Sequence, residues 1–449
     1  MSGRFEGERA LVIGAGVAGG GAARALAAEG ARVVVSDAKD ERELASLDDL
    51  RSTRIEVRAG GHDPASLEDT SLVVVSPGVP PGAAIVRDAV DRGLPVWGEL
   101  ELGARLCRAP YVGVTGTNGK TTVTAMVEAS ARAAGIDAVA CGNIGRSFPE
   151  AAREKHDLLI VEASSFQLAL QTSFHPRVSV LVNLAPDHLD WHGGYRAYAE
   201  AKAGIHGSQV DGDVHVGNRD DAEAAAISRR ARCELRWFRV GPPKQGEVGY
   251  DGDALVARID GDHRLGTVAA DRPGLREDAA AAAAVALSVG VDPASAAAAL
   301  AGFRPAPHRG EVVAEVDGVR FVDDSKATNV HAAVVAIRGV EDAVLIAGGR
   351  AKGLDLTPLR AEAGQLRAVV AIGESAGDLV RVFDGVAPTT VAASIEDAVR
   401  AAFVAAAPGG TVLLAPACAS WDQFRDYAER GDRFAAAARS LAREVAARG

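Results

Sequence analysis

Short apolar runs alternate with longer alanine-rich stretches along the chain, and this alternation limits the possible folds more than any other feature. The stretches between the runs have helical periodicity, which is clearest at residues 20–29, 121–133, 279–289 and 395–406. Strands that alternate with helices form mainly parallel sheets covered by helices on both faces. We therefore predict an α/β fold with buried strands at residues 10–13, 32–36, 72–76, 111–115, 158–162, 178–183, 320–323, 343–347, 368–372 and 412–415.

Length and composition predict three domains. About 150 residues per domain is usual, and this chain has 449. One boundary is expected just before the strand at residues 111–115, and the other in the proline-rich segment GFRPAP at residues 302–307. The predicted domains are residues 1–109, 110–302 and 303–449. The outer two are expected to be Rossmann-like, and the central one to resemble a P-loop ATPase with a mainly parallel sheet.

Charge and cysteine content exclude several classes of protein. The net charge of −11 makes the chain a poor ligand for nucleic acid or for an anionic membrane. Its four cysteines are widely spaced without a C-x-x-C pair, which is typical of reduced thiols rather than of disulfides or a zinc site. No run is apolar enough for a signal peptide or a bilayer span. We expect a cytoplasmic monomer with no nucleic-acid partner and no membrane insertion.

The first predicted strand runs into a glycine loop, in which Gly14, Gly16 and Gly19 are spaced as G-x-G-x-x-G before a helix. Asp37 comes at the end of the next strand, at the spacing of an acid that binds a ribose. The loop could bind NAD, bind another nucleotide such as a UDP-sugar, or serve as a structural tight turn. A second loop at residues 76–78 follows another strand and is expected to line the same crevice.

A strand, loop and helix at residues 111–133 predict a phosphate site. The loop reads GTNGKTT at residues 116–122, and its small residues let backbone N–H groups surround phosphates. Lys120 would bring positive charge to the β- and γ-phosphates, and Thr121 would ligate Mg²⁺. Val114 stands where general P-loop NTPases carry glycine, so the loop is of a different type. The alternative is a glycine-rich turn with a solvated lysine.

Carboxylate and imidazole groups follow the next two strands. Glu162 ends one strand, so its carboxylate is expected in the ligand crevice, although it could instead cap a helix. A cluster of acids, amide and imidazoles follows the other strand and suggests a metal or phosphate role for Asn183, Asp187, His188, Asp190 and His192. Lys202, judged by its own surroundings in the sequence, is a solvated lysine on an amphipathic helix.

Three ordered motifs resemble those of the Mur ligase superfamily, which includes folylpolyglutamate synthase. They are VTGTNGKTT at residues 114–122, DSKATN at residues 324–329 and APACASWDQF at residues 415–424. The family couples ATP cleavage to amide formation through an acyl phosphate. The DSKATN string is similar to that of the glutamate-adding members. The resemblance therefore implies addition of D-glutamate to UDP-N-acetylmuramoyl-L-alanine, in cytoplasmic peptidoglycan precursor synthesis, with ATP and two Mg²⁺ ions.

The resemblance also implies roles for individual residues. The catalytic residues would be Lys120, His188 and Lys202. The Mg²⁺ ligands would be Thr121, Glu162, His188 and Lys202, the last as a carbamate. ATP would be bound by Gly116, Thr117, Asn118, Gly119, Lys120, Thr121, Thr122, Arg309, Asp324 and Lys326. The UDP-substrate would be bound by Gly16, Val17, Ala18, Asp37, Ser76, Pro77, Gly78 and Asn143. The amino acid would be bound by Thr328, Lys352, Ser420, Trp421 and Tyr427, with Ser420 and Trp421 at a helix N-terminus.

The chain departs from the family where members carry an asparagine that contacts adenine. The corresponding stretch, residues 274–280, reads GLREDAA, so Glu277 or Asp278 replaces the amide and would accept a hydrogen bond from the adenine amino group. Three other functions stay open. They are a sister ligase or folylpolyglutamate synthase, an NAD-dependent dehydrogenase suggested by the first glycine loop, and a nucleotide sensor without catalytic activity.

Overall fold

The computed structural model describes residues 3–44, 47–53, 55–268 and 273–447, and its strands form three sheets. The chain divides into two compact units. The first contains Met1–Leu184, Ala199–Ala269 and Glu277–Phe303, and the second contains Ala185–Tyr198, Ala270–Arg276 and Arg304–Gly449. The first two sheets belong to the first unit and the third sheet to the second unit. The predicted α/β class with mostly parallel sheets is confirmed, while the domain boundaries at residues 109 and 302 stay a prediction.

The first sheet is parallel throughout and has the strand order 3-2-1-4-5. Its strands are β1 (Arg9–Ile13), β2 (Arg32–Ser36), β3 (Glu56–Arg58), β4 (Leu72–Val75) and β5 (Val96–Gly98). The helices of this segment are α1 (Val17–Ala28), α2 (Leu47–Ser52), α3 (Ala84–Asp91) and α4 (Glu99–Leu106). Small residues on α1 permit close packing, since a Cβ added at Gly21 would lie 2.1 Å from Ser147 Oγ.

The second sheet has nine strands in the order 14-13-12-11-10-9-6-8-7. Its strands are β6 (Tyr111–Thr115), β7 (Ala138–Gly142), β8 (Leu158–Glu162), β9 (Val178–Leu181), β10 (Val214–Asn218), β11 (Glu234–Phe238), β12 (Glu247–Asp251), β13 (Ala254–Ala257) and β14 (His263–Thr267). The strands from β6 to β12 pair in parallel, and β12, β13 and β14 pair antiparallel. The sheet therefore combines a parallel centre with a hairpin extension at one edge.

Eight helices belong to the part of the chain between β6 and β15, among the residues that the structure describes. They are α5 (Lys120–Ala133), α6 (Phe148–Ala151), α7 (Ser165–Leu168), α8 (Leu189–His192), α9 (Tyr195–Ala203), α10 (Ala222–Ser228), α11 (Pro273–Ser288) and α12 (Pro293–Gly302). Helix α11 is nearly all alanine where it is most deeply buried, since every residue from Ala279 to Ala286 is 0% exposed. Alanine has the highest helix propensity and the least bulk, so this helix can be surrounded on all sides.

The third sheet has the order 15-16-20-17-18-19, with an antiparallel pair at one edge and parallel pairs elsewhere. Its strands are β15 (Glu311–Val316), β16 (Val319–Asp323), β17 (Ala343–Gly348), β18 (Leu366–Ile372), β19 (Thr389–Val391) and β20 (Thr411–Leu414). Its helices are α13 (Val330–Arg338), α14 (Ala376–Phe383), α15 (Ile395–Ala406) and α16 (Tyr427–Ala446). Two apolar clusters, one on each side of this sheet, make the core of the second unit.

All ten predicted strands are present to within two residues at each end. The sequence missed ten others, of which the largest group is β10 to β14. Polar residues such as Glu247, Asp251 and His263 interrupt the apolar pattern there, and Glu247 is buried in an ion pair with Arg219, a partner that the local pattern does not show. None of the described helices is long and apolar enough to cross a bilayer.

Candidate active site

The predicted phosphate loop connects β6 to α5 and is closed on itself by hydrogen bonds. Gly119 caps the helix at φ +80°, and a Cβ at this position would lie 2.1 Å from Asp278 Oδ1, so only glycine fits. The Lys120 ammonium donates to the carbonyl oxygens of Gly116 and Thr117, at 2.9 Å each. The loop is thus folded around the lysine, which lies over the N-terminal end of a helix where phosphates are favoured.

Asn183 fastens the other side of this loop. Its carbonyl oxygen accepts from Thr117 N at 3.0 Å, and its side-chain oxygen accepts from Asn118 N at 2.8 Å. Asn218, which ends β10, donates to Val182 O and to the carboxyl group of Glu277. The side chains of Asn183 and Asn218 thus help to position the phosphate loop. The sequence offered only one signal for Asn218, an asparagine at the end of an apolar strand.

Glu277, one of the two residues expected at adenine, is buried among amide and carboxyl groups. Burial, with the neighbouring carboxylates of Asp278 and Asp221, raises the pKa of Glu277 to about 8. Asn218 and Asn183 both hydrogen-bond its carboxyl group. At neutral pH the group is therefore mostly a neutral acid within an amide network, and its contact with adenine stays a prediction.

The carboxylate of Glu162 lies at the end of β8, beside the strand that leads into the phosphate loop. The residue is 1% exposed. Asn143 donates to its Oε1 through the side-chain amide at 2.7 Å, whereas its Oε2 is buried without a hydrogen-bond partner among the described residues. The cap of the following helix α7 is Ser164, so the alternative that Glu162 is a helix cap is wrong.

These oxygen donors fit Mg²⁺. A carboxylate with one buried unsatisfied oxygen, next to a helix that carries the Thr121 hydroxyl, is the kind of donor set that magnesium shares with phosphates and water. Among the residues that the structure describes, no three His, Cys, Asp or Glu side chains form a cluster that could hold a metal by themselves. The residues therefore suit an ion that is held by a few protein oxygens together with the phosphates of a nucleotide.

Lys202 is buried, contrary to the interpretation as a solvated lysine. The residue is 2% exposed on α9, and its ammonium donates to Gly116 O at 2.6 Å. An ammonium group loses most of its hydration at such a depth, so a lysine is retained there only with strong compensation. Thr121, Glu162 and Lys202 are thus all placed around one end of strands β6 and β8. His188 belongs to the second unit.

The N-terminal glycine loop has separate roles for its glycines. Gly14 adopts φ +97°, and a Cβ at Gly19 would lie 1.8 Å from Gly14 O, so both are required by the turn itself. Gly16 faces open space, and Val17 is 76% exposed. Asp37 Oδ2 accepts from Ala15 N at 2.6 Å, while a Cβ at Gly14 would lie 2.8 Å from Ser76 Cβ. The predicted crevice residues Asp37 and Ser76 therefore do lie at the same sheet edge.

In the second unit, the DSKATN segment follows β16 and is tied to the segment after β20. The Arg430 guanidinium is 0% exposed and donates to Ser325 Oγ, Ser325 O and Cys418 O at 2.8–3.1 Å. Burial lowers the pKa of Arg430 to about 10, so the group stays charged at neutral pH. Sequence reasoning missed this residue, because it lies in a polar helix with nothing to mark it.

Two lysines have defined partners in the second unit, Lys326 of the predicted ATP site and Lys352 of the predicted amino-acid site. Lys326 Nζ lies 3.7 Å from the centroid of the Tyr427 ring, a cation–π contact. Lys352 Nζ lies 2.8 Å from Asp187 Oδ1, with both side chains 8% exposed. Arg309 precedes β15, Asp324 and Thr328 follow β16, and all three are half-buried.

Ser420 and Trp421 do not lie at a helix N-terminus, so that expectation is wrong. They form a turn, in which Ser420 O accepts from Gln423 N and Phe424 N. Helix α16 begins only at Tyr427, and Asp426 caps it by accepting from Glu429 N. Ser420 is buried, while Trp421 is 61% exposed. The run of polar residues between them and the helix forms bends rather than a first helical turn.

Family descriptions match three successive parts of the chain. They are the Mur ligase MurD-like N-terminal domain at residues 8–98, the Mur ligase middle domain at residues 114–247, and the Mur ligase glutamate ligase domain at residues 308–418. A curated protein of Frankia casuarinae, named UDP-N-acetylmuramoylalanine–D-glutamate ligase, is 46% identical over 96% of this chain and 93% of its own length. The chain belongs to the Mur ligase family.

Another curated relative and two solved structures are also similar to this Mur ligase. A protein of Thermobifida fusca with the same name is 42% identical over 98% of the chain and 99% of its own length. Solved structures share the fold at lower identity. MurF of Acinetobacter baumannii is 15% identical with a TM-score of 0.62 over 90% of each chain. A pseudomurein peptide ligase of Methanothermus fervidus is 18% identical with a TM-score of 0.60, over 91% of this Mur ligase and 96% of its own chain.

Proposed function

We propose that this Mur ligase uses ATP to join D-glutamate to UDP-N-acetylmuramoyl-L-alanine in peptidoglycan precursor synthesis. The observation that carries the proposal is the 46% identity, over 96% of this chain, with a curated protein that bears the name of that activity. The DSKATN segment, which resembles that of glutamate-adding members, also supports glutamate as the amino acid that is added.

In the first step, the substrate carboxylate attacks the γ-phosphorus of ATP, and ADP leaves as an acyl phosphate forms. The phosphate loop holds the nucleotide with its backbone N–H groups. Lys120 already spans two carbonyl oxygens of this loop, so its charge is fixed in position before the phosphates arrive. Mg²⁺ would neutralise charge on the phosphates; Thr121 and Glu162 would hold the first ion, and a carbamate of Lys202 with His188 would hold the second.

In the second step, the amine of glutamate attacks the acyl carbon, and the C–O bond to phosphate breaks. The ammonium group of Lys352 suits a carboxylate of the incoming amino acid. Thr328, Ser420, Trp421 and Tyr427 complete the proposed amino-acid site. In the first unit, Asp37, Ser76 and the loop at Gly16 form the proposed site for the UDP end of the substrate.

The test is phosphate release from ATP with a panel of acceptors and amino acids. The acceptors are UDP-N-acetylmuramate and its L-alanyl and L-alanyl-D-glutamyl derivatives, and the amino acids are D-glutamate, L-glutamate, L-alanine and diaminopimelate. Release should require the L-alanyl acceptor with D-glutamate, and Lys120→Ala should be inactive. Release with a different pair would assign a sister activity, and quenching of NADH fluorescence by the protein would favour the dehydrogenase alternative.

We also propose that the protein is a cytoplasmic monomer with domains at residues 1–109, 110–302 and 303–449. The net charge of −11 supports a protein that stays dispersed in solution. Light scattering during gel filtration should give a mass near 46.1 kDa, and limited proteolysis should cut first near residues 110 and 303. Twice that mass would exclude the monomer.

A further inference from the structure

Asp187 lies at the centre of a buried polar cluster within the second unit. Its Oδ1 accepts from Lys352 Nζ at 2.8 Å and from His188 N at 2.9 Å, and its Oδ2 accepts from Asn329 Nδ2 at 3.2 Å. The side chains of Asp187 and Lys352 are each 8% exposed. One carboxylate therefore joins three segments that each carry a residue of the proposed site.

The orientation of this cluster is fixed by a helix cap. Asn329 is the N-cap of α13, and its Oδ1 accepts from Ala332 N at 2.9 Å. Its Nδ2 must consequently point at Asp187, because turning the amide over would remove the cap. Asp187 has an acceptor oxygen on each side and cannot be replaced by an amide without setting two donors against each other.

We propose that Asp187 is the positioning residue of the amino-acid site, acting as the fixed counter-ion that holds the Lys352 ammonium in place for a substrate carboxylate. This inference rests on the proposed function, in which Lys352 meets the incoming glutamate. A flexible lysine loses side-chain entropy when it binds a ligand, and a lysine already held by a buried carboxylate has lost that entropy beforehand. Lys352 also adopts φ +55°, so its backbone is held in a turn that few non-glycine residues adopt.

The test exchanges the acid and the amide. Asp187→Asn alone removes the charge and also opposes two amide donors. Asp187→Asn combined with Asn329→Asp restores a complementary hydrogen bond and a helix cap, and it preserves the net charge. In the double exchange, the carboxylate at position 329 is separated from Lys352 by the new amide at position 187. Glu362→Gln is the matched control, since it breaks a 2.6 Å ion pair between Arg338 and a buried carboxylate of the same unit.

A counter-ion role predicts a distinct pattern across these variants. Both Asp187→Asn and the double exchange should raise KM for glutamate about tenfold, with little change in KM for ATP. The thermal midpoint should fall in the single variant and recover in the double exchange. Glu362→Gln should change stability without changing KM for glutamate. If KM for glutamate recovers together with the thermal midpoint in the double exchange, Asp187 has a purely structural role. If KM for glutamate falls in either variant, Asp187 competes with the substrate carboxylate for Lys352. Either result overturns the proposal.

A measurement without turnover keeps this test separate from the proposed function. The rate at which an amine-acylating reagent modifies Lys352 is followed by peptide mass spectrometry. Without its carboxylate partner, the amine is no longer held in the buried ion pair and can reach the reagent, so modification should be several-fold faster in both variants. An unchanged rate overturns the counter-ion role, whichever amino acid the enzyme accepts. If the wild type accepts another amino acid, the proposed function fails, and KM is compared for that amino acid instead.

Discussion

The buried ammonium of Lys202 and the carbonyl oxygen of Gly116 are joined by a hydrogen bond of 2.6 Å. This contact connects helix α9 directly to the phosphate loop. It gives the lysine a structural task in addition to any part in holding a metal.

Lys202→Ala should therefore lose both activity and stability. Removal of a buried, hydrogen-bonded side chain should lower the free energy of unfolding by about 2 kcal/mol or more. If the lysine is carbamylated, a short carboxylate such as acetate should restore part of the glutamate-dependent phosphate release, because it can replace the missing anion near Mg²⁺. The matched control is Lys155→Ala, which removes an exposed lysine of the same unit. Activity close to that of this control would exclude a role at the metal site.

Asn143→Ala should increase the Mg²⁺ concentration required for half-maximal activity. The amide of Asn143 donates to one carboxylate oxygen of Glu162, and the other oxygen is available to bind the ion. Groups that orient a metal ligand typically contribute a factor of about 10 or more in affinity. Direct titration with Mn²⁺ in a paramagnetic-resonance assay provides a readout without turnover. Equal metal affinity in the wild type and the variant would leave Asn143 as a contact of the UDP-substrate alone.

Tyr427 should tolerate phenylalanine and not leucine. The contact between Lys326 and Tyr427 uses the face of the ring, which phenylalanine keeps and leucine lacks. We expect Tyr427→Phe to leave KM for glutamate within about twofold and Tyr427→Leu to raise it about tenfold, since cation–π contacts contribute about 1–2 kcal/mol when partly desolvated. If both variants raise KM equally, the phenolic oxygen is the important group instead.

Stability should decline with pH between about 4.5 and 7 because of Glu99. The residue is 0% exposed, and burial is the largest cause that raises its pKa to about 7 from an ordinary value of 4.5. The folded state thus holds the proton more tightly than the unfolded state. The resulting stabilisation is complete below 4.5 and is lost as the pH rises through 7, by about 3 kcal/mol.

Urea unfolding at pH 5 and pH 8 measures this loss. Glu99→Gln should show a smaller difference between the two pH values than the wild type, because the titrating group is gone. The readout is the change in unfolding free energy between pH 5 and pH 8, compared between the wild type and the variant. A variant that is less stable at both pH values therefore does not affect it. Equal pH dependence in the two proteins would exclude Glu99 as the responsible group.

Every strand that the sequence predicted lies inside a sheet rather than at its edge, and the loops that follow these strands were predicted with them. The strand at Tyr111–Thr115 and the lysine that opens the next helix follow from local patterns, because apolar residues and glycines have direct conformational consequences. Burial of Lys202 could not be predicted in this way. Its environment is made by Gly116, which is 86 residues earlier in the chain.

The same reason explains the raised pKa of Glu277 and the error at Trp421. The pKa of Glu277 depends on carboxylates and amides brought together by the fold, of which only Asp278 is a neighbour in sequence. The segment at Trp421 was expected to begin a helix, but the acid that caps α16 is Asp426, five residues later. Several residues in this stretch can cap a helix, and tertiary contacts select one of them.

The buried guanidinium of Arg430 has a practical consequence for engineering. It binds the segment at Ser325 and the segment at Cys418 at the same time, and it comes from the last helix. A chimera that exchanges only one of these segments with a relative of different amino-acid preference would leave the arginine with mismatched acceptors. Transplants should therefore move both segments together with α16, as one cassette.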